Sequence, residues 1–421
     1  MKSPKRTVKD LRRTNRHLVL QQIYFSGSSS RLELSQHTGL SPATVTNVVT
    51  GLLEEGIVIE SGLEESQGGR PRAILTINES YGCFVGIDVG ETHIQAELFD
   101  MTMSNLNTVR CSLTPDENEP QQVVERIAQG VESLLAESGV QRGKIIGVGI
   151  GVPGVVEPQG GVSVFAPNWG WHDVPLLSMV GKHIGLPLYL DNGAKAMALA
   201  EMWFGAGRGA ENLAVLLIGT GVGAGIVAQG RLYRGATNSA GEWGHTVIEL
   251  DGRMCRCGSR GCLEAYVGAP AIIQRLREQE PDREFVGDQT TTISAIVETA
   301  RRGDRAAVQV LEDTAHYLGA GVGNLINLFN PGLVVLGGWA GLQIGRYILP
   351  ELRRFAERYA LKRPLSATRI TLSQLGQDAI SMGGACLVLG DFLGSEGWQG
   401  PHTIPGRERS EVTAADQDGR A

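Results

Sequence analysis

The sequence predicts an α/β protein in two parts: a small helical unit closed by a β-hairpin, then a larger body of two α/β lobes flanking a cleft. Between Thr14 and Leu53, apolar residues recur at helical spacing with glycine interruptions, and strand-like runs follow. Two strand–glycine-turn–strand units, at 84–99 and 213–228, head the two halves of the body. A chain of 421 residues, 42% hydrophobic and 20% charged, has material for two to four domains at roughly 100–200 residues each. No apolar run reaches the roughly 18–20 residues of a membrane helix, and the basic N-terminus lacks the apolar stretch of a signal peptide. A cytoplasmic location without membrane attachment is expected.

The net charge of −7 conceals a basic end. Residues 1–31 carry Lys2, Lys5, Arg6, Lys9, Arg12, Arg13, Arg16 and Arg31 against Asp10 alone, a local +7 that leaves −14 on the remainder. Such a chain suits binding a polyanion at one end, although a solvated tail would have the same composition.

The N-terminal elements follow in order. Leu18, Val19, Leu20 and Ile23 predict a first helix from Thr14 to about Ile23. Arg31–Thr38 makes a second, with Leu32 and Leu34 inward, and Gly39 permits the sharp turn after it. Ser41-Pro42 opens a third helix as N-cap and first-turn proline. Val45, Val48, Val49, Leu52 and Leu53 form its apolar stripe, while Thr44, Thr46, Asn47 and Thr50 lie opposite, able to meet phosphates and base edges. Candidate strands at Ile57–Ser61 and Ala73–Asn78 flank a tip holding Arg70 and Arg72. Helix, helix-turn-helix and hairpin in this order make a winged helix, with the third helix expected in the major groove of double-stranded DNA. Ser41, Thr44, Thr46, Asn47, Thr50, Arg70 and Arg72 are the candidate DNA contacts. A three-helix protein-docking module is the competing reading.

In the body, Phe84–Ile87 runs into Asp88-Val89-Gly90-Glu91-Thr92 and then Ile94–Phe99. The second unit is Leu213–Ile218, the glycine run 219–225, and Ile226–Ala228. Asp88, Gly90, Thr92, Gly219, Thr220 and Gly221 are candidate phosphate-binding positions, since turn amides can hold an anion. Val123, Val124, Ile127, Val131, Leu134 and Leu135 keep one face of a helix apolar.

The most specific signal is His245 followed by Cys255, Cys257 and Cys262. Three thiols within eight positions plus an imidazole match a Cys₃His structural zinc site, and Gly258 and Gly261 let the chain wrap the ion. A disulfide is disfavoured, because next-but-one cysteines bridge poorly. Cys83, Cys111 and Cys386 stand alone in apolar surroundings and are expected in the core. Glu242 and Glu264 flank the cluster and could line one pocket with His245, carboxylates suiting a sugar's hydroxyls.

Together these residues resemble the ROK family, named for repressors, open reading frames and sugar kinases. The likeness rests on 86–92, 147–154, Pro167-Asn168, 219–225, 241–245, the Cys255–Glu264 block and Asn330-Pro331 with 335–338. It spans about Leu11 to Leu393 and includes the winged helix that ROK repressors carry and ROK kinases lack. The resemblance implies a two-lobed, actin-like ATPase (ribonuclease H-like) fold with zinc near a hexose-type site. It also implies sugar contacts at Asn168, Asn192, Glu242, His245 and Glu264. Units at 1–78, 81–205 and 206–395 are expected, with a disordered tail at 396–421.

One stretch departs from the pattern. ROK kinases read Glu-Asn-Asp-Ala-Asn at the positions numbered 191–195 here, and that aspartate deprotonates the attacking sugar hydroxyl. This chain has Asp191-Asn192-Gly193-Ala194-Lys195. Glycine cannot accept a proton, and losing a general base costs roughly 10²–10⁴-fold in rate. Asp191 could replace it only by a register shift. Lys195 reads as a helix-surface residue, or as a cation in the cleft near Thr220 and Asp88 that would hold an anionic sugar. The expectation is a homodimeric or homotetrameric repressor that binds a palindromic operator and a sugar without phosphorylating it. Competing readings are a sugar kinase with an added DNA-binding unit, and a body that docks a transport or metabolic protein.

Overall fold

A computed structural model describes residues 7–64, 71–114, 117–284 and 287–394. The first helix, α1 (Val8–Ser26), starts well before the apolar stripe, because Thr7 and Asp10 form a capping box at its N-terminus. Lys9, Arg12, Arg13 and Arg16 therefore lie on a helix and not on an arm. Lys2, Lys5 and Arg6 fall outside the described residues. Val19, Leu20 and Ile23 are buried, whereas Leu18 is exposed.

After β1 (Ser29–Ser30), α2 (Arg31–Thr38) is capped by Ser30 and Glu33 and ends at Gly39, whose φ of +69° only glycine adopts readily. Leu34 is buried, but Leu32 faces solvent: in a helix of two turns only one stripe reaches the core. In α3 (Pro42–Glu54) the Ser41 side chain accepts from the Thr44 amide, and Val45, Val49 and Leu52 are buried. Strands β2 (Val58–Glu64) and β3 (Arg72–Ile77) pair antiparallel, and β1 adds to β3. This is the winged helix-turn-helix arrangement.

The body contains two five-stranded sheets of one topology. In the first, β4 (Cys83–Val89), β5 (His93–Asp100) and β6 (Asn105–Ser112) form an antiparallel meander. Strands β7 (Ile145–Val152) and β11 (Leu188–Asn192) then add in parallel beside β4. In the second, β12 (Leu213–Ile218), β13 (Val222–Ala228) and β14 (Arg231–Leu232) repeat the meander. Strands β15 (Leu333–Gly337) and β16 (Arg369–Leu372) repeat the parallel addition beside β12. The duplication expected from the two glycine turns is therefore a duplication of whole sheets. A small antiparallel sheet of β8 (Val155–Glu157), β9 (Val162–Ala166) and β10 (Trp171–Val174) covers one edge of the first lobe.

Helix α4 (Pro120–Ser138) buries Val123, Val124, Ile127, Val131, Leu134 and Leu135, and α5 (Leu176–Ile184) packs beside it. Helices α7 (Glu264–Val267), α8 (Ala269–Gln279), α9 (Gln289–Arg301), α10 (Arg305–Phe329), α11 (Trp339–Tyr359) and α12 (Lys362–Ala367) belong to the second lobe. Between the sheets lie α6 (Gly193–Phe204) and α13 (Ala379–Phe392). They cross so closely that a Cβ on Gly383 would lie 2.1 Å from the Ala196 carbonyl oxygen. One apolar core runs from Val45 and Leu52 of the winged helix through α6 and α13 to Val335 of the second sheet.

Cys83 and Cys386 are buried, but Cys111, on the outer strand β6, is only half-buried. Among the described residues no helix is long and apolar enough to cross a membrane.

Candidate functional site

The strand ends that face each other across the lobes enclose a cavity of about 250 Å³. Asp88, Gly90 and Thr92 come to it from the β4–β5 turn, and Gly219, Thr220 and Gly221 from the β12–β13 turn. Asn168, Asn192, Glu242, His245 and Glu264 line the same wall. Residues spread over 177 positions thus converge because ligand crevices form at the ends of adjacent strands in such sheets.

Each side chain has a local reason for its position. Asn192 ends β11 and caps α6: its Oδ1 accepts from the amides of Ala194 (2.9 Å) and Lys195 (3.2 Å), and its Nδ2 donates to Gly154 O (2.8 Å). Glu264 Oε2 accepts from the Val222 amide at 2.9 Å, which ties α7 to the start of β13. Asn168 Nδ2 donates to Glu91 Oε1, while Asn168 Oδ1 is buried without a partner. Burial raises the Glu242 and Glu91 carboxyls above their usual range, with Lys195 opposing the rise at Glu242 and Arg256 opposing it at Glu91. Desolvation likewise pushes Asp88 to about 7 and lowers His93 to about 4.

The glycine run 219–225 divides by role. Gly219–Gly221 makes the turn, whereas Gly223 and Gly225 belong to β13. A Cβ on Gly225 would lie 2.3 Å from Ala198 Cβ, so this glycine lets α6 lie on the strand. Glu91, His93, Phe165, Trp339 and Ile380 also line the cavity. Sequence reasoning overlooked these five, although Trp339 directly follows the Val-Leu-Gly-Gly stretch.

The departure at 191–195 has a clear geometry. Gly193 lines the cavity and presents no functional group. Asp191 is fully buried away from it, and its carboxylate accepts from Arg234 (2.5 Å), Asn238 (3.0 Å) and the Asn192 amide (2.8 Å). The register-shift alternative therefore fails. Lys195 is neither a surface residue nor a cation near Asp88. It is only 1% exposed, is absent from the cavity wall, and lies nearer Glu242 and Asp191. Burial lowers its ammonium pKa, against the pull of those two carboxylates.

The His245, Cys255, Cys257 and Cys262 ligand atoms all lie within 4.8 Å of one another. Cys257 Sγ and Cys262 Sγ are 3.8 Å apart, and Cys255 Sγ and His245 Nδ1 are 3.7 Å apart. A tetrahedral ion with zinc–sulfur bonds of about 2.3 Å needs sulfurs separated by about 3.8 Å, so the donor set fits such an ion. Because His245 also lines the cavity, an ion there would fix one cavity residue directly.

On the winged helix, Ser41, Thr46, Asn47 and Thr50 are exposed along α3, and Thr44 is half-buried. Ser41 and Thr46 hydrogen-bond locally, to Thr44 and to Pro42 O. Arg16 and Arg31 pair with Glu55 (2.5 Å) and Glu60 (3.2 Å), which reduces the free positive charge the sequence suggests. Arg72 is exposed at the start of β3, and Arg70 lies outside the described residues.

Residues 84–391 match the ROK family model. The chain belongs to the ROK family. It is 33% identical to the xylose repressor of Caldicellulosiruptor bescii, over 91% of this chain and 97% of that one. The crystal structure of a ROK family transcriptional regulator, a homologue of the E. coli MLC protein, superposes with a TM-score of 0.78 at 27% identity. That match covers 91% of this chain and 97% of the other. A ROK family glucokinase from Streptomyces griseus, solved with glucose and AMPPNP, matches at 29% identity and TM-score 0.64 over 73% of this chain and 99% of its own length. The regulators thus match nearly the whole chain, and the glucokinase about three quarters of it.

Proposed function

We propose that this ROK protein is a sugar-responsive, DNA-binding transcriptional repressor of carbohydrate genes that does not phosphorylate its sugar. Residues 1–78 would bind DNA, through Ser41, Thr44, Thr46, Asn47, Thr50, Arg70 and Arg72. The lobes at 81–205 and 206–395 would bind the effector. One observation carries the effector reading: the cavity wall holds Asn168, Asn192, Glu242, His245 and Glu264, but only a glycine where a kinase needs its base. Asp88, Gly90, Thr92, Gly219, Thr220 and Gly221 become a remnant phosphate site, partly covered by Trp339.

The wall also limits the ligand's charge. Asp88, Glu91, Glu242 and Glu264 face the cavity, and among the described residues no lysine or arginine lines it. Carboxylates accept hydrogen bonds from hydroxyls and repel phosphates, so the effector is a neutral aldose and not a sugar phosphate. Xylose is the first to test, because the Caldicellulosiruptor relative is named for it. A structural zinc on His245, Cys255, Cys257 and Cys262 would hold His245 at the wall.

Helices α6 and α13 offer the route to DNA. Asn192 and Ile380, at their N-terminal ends, touch the cavity. At their C-terminal ends, Trp203 stacks edge-on against Phe25 of α1 at 5.8 Å, and Gln21 of α1 donates to Leu393 O at 3.0 Å. Lobe closure on the sugar would move α1 and shift paired winged helices away from half-sites one helical turn apart, in a homodimer or homotetramer. The test is a DNA-shift assay on the upstream region of the protein's own gene, with xylose, glucose and their phosphates. Release by one neutral sugar alone is expected. Sugar-dependent ADP release would instead favour the kinase reading.

A further inference from the structure

The metal cluster carries a side chain that the repressor reading leaves without a task. Arg256, between Cys255 and Cys257, points toward the opposite lobe. Its NH1 donates to Glu91 Oε2 at 3.1 Å, and its NH2 donates to Thr220 O at 2.6 Å. Glu91 belongs to the β4–β5 turn of the first lobe, so this ion pair spans the cleft. Glu91 also accepts from Asn168, whose Oδ1 is buried on the cavity wall without a partner.

Arg256 also separates two spaces. The inner cavity is the one described above. A second cavity of about 540 Å³ is lined by Arg253, Cys255, Arg256 and Gln274, and shares Thr220 and Glu264 with the first. The Arg256–Glu91 pair therefore stands where a small molecule would pass from the outer space to the inner one. Arg256 is partly wet at 36% side-chain exposure, whereas Glu91, at 17%, is mostly buried and keeps its hydrogen bond from Asn168 when the pair opens.

We propose that Glu91 and Arg256 form a gate on the effector cavity, held in position by the metal-binding loop. Opening joins the two cavities and admits a ligand. A ligand hydroxyl donated to Asn168 Oδ1 orders Asn168, which orders Glu91, and Glu91 then holds Arg256 shut. Two backbone hydrogen bonds close the turn that carries Arg256: the Cys255 amide donates to Ser259 O at 2.8 Å, and the Gly258 amide donates to Cys255 O at 3.0 Å. Ion binding by the cysteines on either side of Arg256 would stiffen it further. Glu91 and Arg256 are thus positioning residues that govern ligand exchange and link it to the metal.

The ligand-dependent part of this proposal rests on reading the cavity as a sugar site, so two measurements separate the ideas. Hydrogen–deuterium exchange on the full-length, sugar-free protein reads the gate alone. Arg256→Ala, Glu91→Gln and chelator treatment should each speed exchange at residues 90–93 and 219–222 by about fivefold or more, while α4 is unchanged. Arg256→Lys keeps the charge but cannot make both contacts, and should fall between. Stopped-flow tryptophan fluorescence with D-xylose and D-glucose then reads dissociation, which should quicken about fivefold in either variant, the scale of one partly exposed ion pair. The double variant should be no faster than the singles. Unchanged exchange in folded Arg256→Ala and Glu91→Gln overturns the gate whatever the ligand. Faster exchange with no sugar bound by the wild type supports the gate and overturns the sugar reading. Additive dissociation rates in the double variant overturn the pairing.

Discussion

Replacing Gly193 with aspartate would restore a carboxylate where ROK kinases carry one, and the local geometry sets what should follow. A Cβ at this position would meet Ile380 Cγ2 at 3.6 Å and Val152 O at 3.7 Å, which are ordinary contacts. Gly193 is the first residue of α6, so an aspartate there faces the positive end of the helix, worth roughly 0.3–1 kcal/mol. Removing glycine's extra freedom adds roughly 0.5–1 kcal/mol. Repulsion from Asp88, Glu91, Glu242 and Glu264 opposes both, so Tm should move by less than about 3 °C. For a neutral sugar the change adds one charged acceptor, worth about 1.5–3 kcal/mol before the carboxylate's own desolvation. Calorimetry should therefore show roughly tenfold tighter binding, about 1.4 kcal/mol. Phosphoryl transfer should stay at background in a coupled ADP-release assay, because Trp339 Nε1 lies 3.0 Å from where a Gly219 Cβ would stand and covers that turn. Kinase-like turnover would refute the part given to Trp339. Unchanged or weaker sugar binding in a folded Gly193→Asp variant would refute placing a sugar hydroxyl beside this residue.

Three further outcomes are expected. Metal analysis should find one zinc per chain, and Cys262→Ser or chelation should lower Tm by about 5 °C or more, since a structural ion contributes folding free energy directly. Gly383→Ala should force α6 and α13 apart, because 2.1 Å to the Ala196 carbonyl must grow to about 3.2 Å, at a cost of roughly 1–3 kcal/mol. Fluorescence anisotropy should then show DNA no longer released by sugar concentrations that saturate the cavity in calorimetry, and normal release would remove the two helices from the route. Asp88→Asn tests burial of charge. The folded-state pKa of Asp88 is raised to about 7, so the wild type loses stability as pH climbs from about 4 to 7. The variant lacks that loss, and its advantage in stability should grow across this window and level off above it, to about 4 kcal/mol at most for a rise of about three pKa units. An advantage independent of pH would mean that Asp88 is not desolvated.

The legible features were those that local chemistry dictates. Ser41-Pro42 and Gly39 have local readings as a cap and a turn, the cysteine spacing favours a metal site over a disulfide, and the structure places the cap, the turn and the donor cluster there. The start of α1 was missed because its signal is the Thr7–Asp10 capping box and not an apolar stripe. Lys195 was misread because a lysine three residues into a helix is normally solvated. Only tertiary packing around Glu242 and Asp191 buries it. Glu91, Arg256 and Trp339 could not be assembled from sequence, since the contacts that define them join positions far apart in the chain.

The glycines suggest how, in the proposed repressor, the cavity between the lobes would be felt at the winged helix, which packs at the far ends of α6 and α13. A Cβ on Gly86 would lie 1.8 Å from Ser381 O, and one on Gly149 would lie 1.8 Å from Gly384 O. Helix α13 therefore rests directly on the backbones of β4 and β7, and α6 rests on β13 through Gly225 and on α13 through Gly383. Contacts between backbones have no rotamers with which to absorb a displacement, so they transmit it. A shift of the strand ends that carry Asp88 and Asn192 must move both helices, and the far ends of those helices meet Phe25 and Gln21 of α1. In the proposed repressor, small residues along this seam would do for signalling what the polar residues of the cavity would do for recognition. Enlarging one of them should damage the response to sugar more than the binding of sugar.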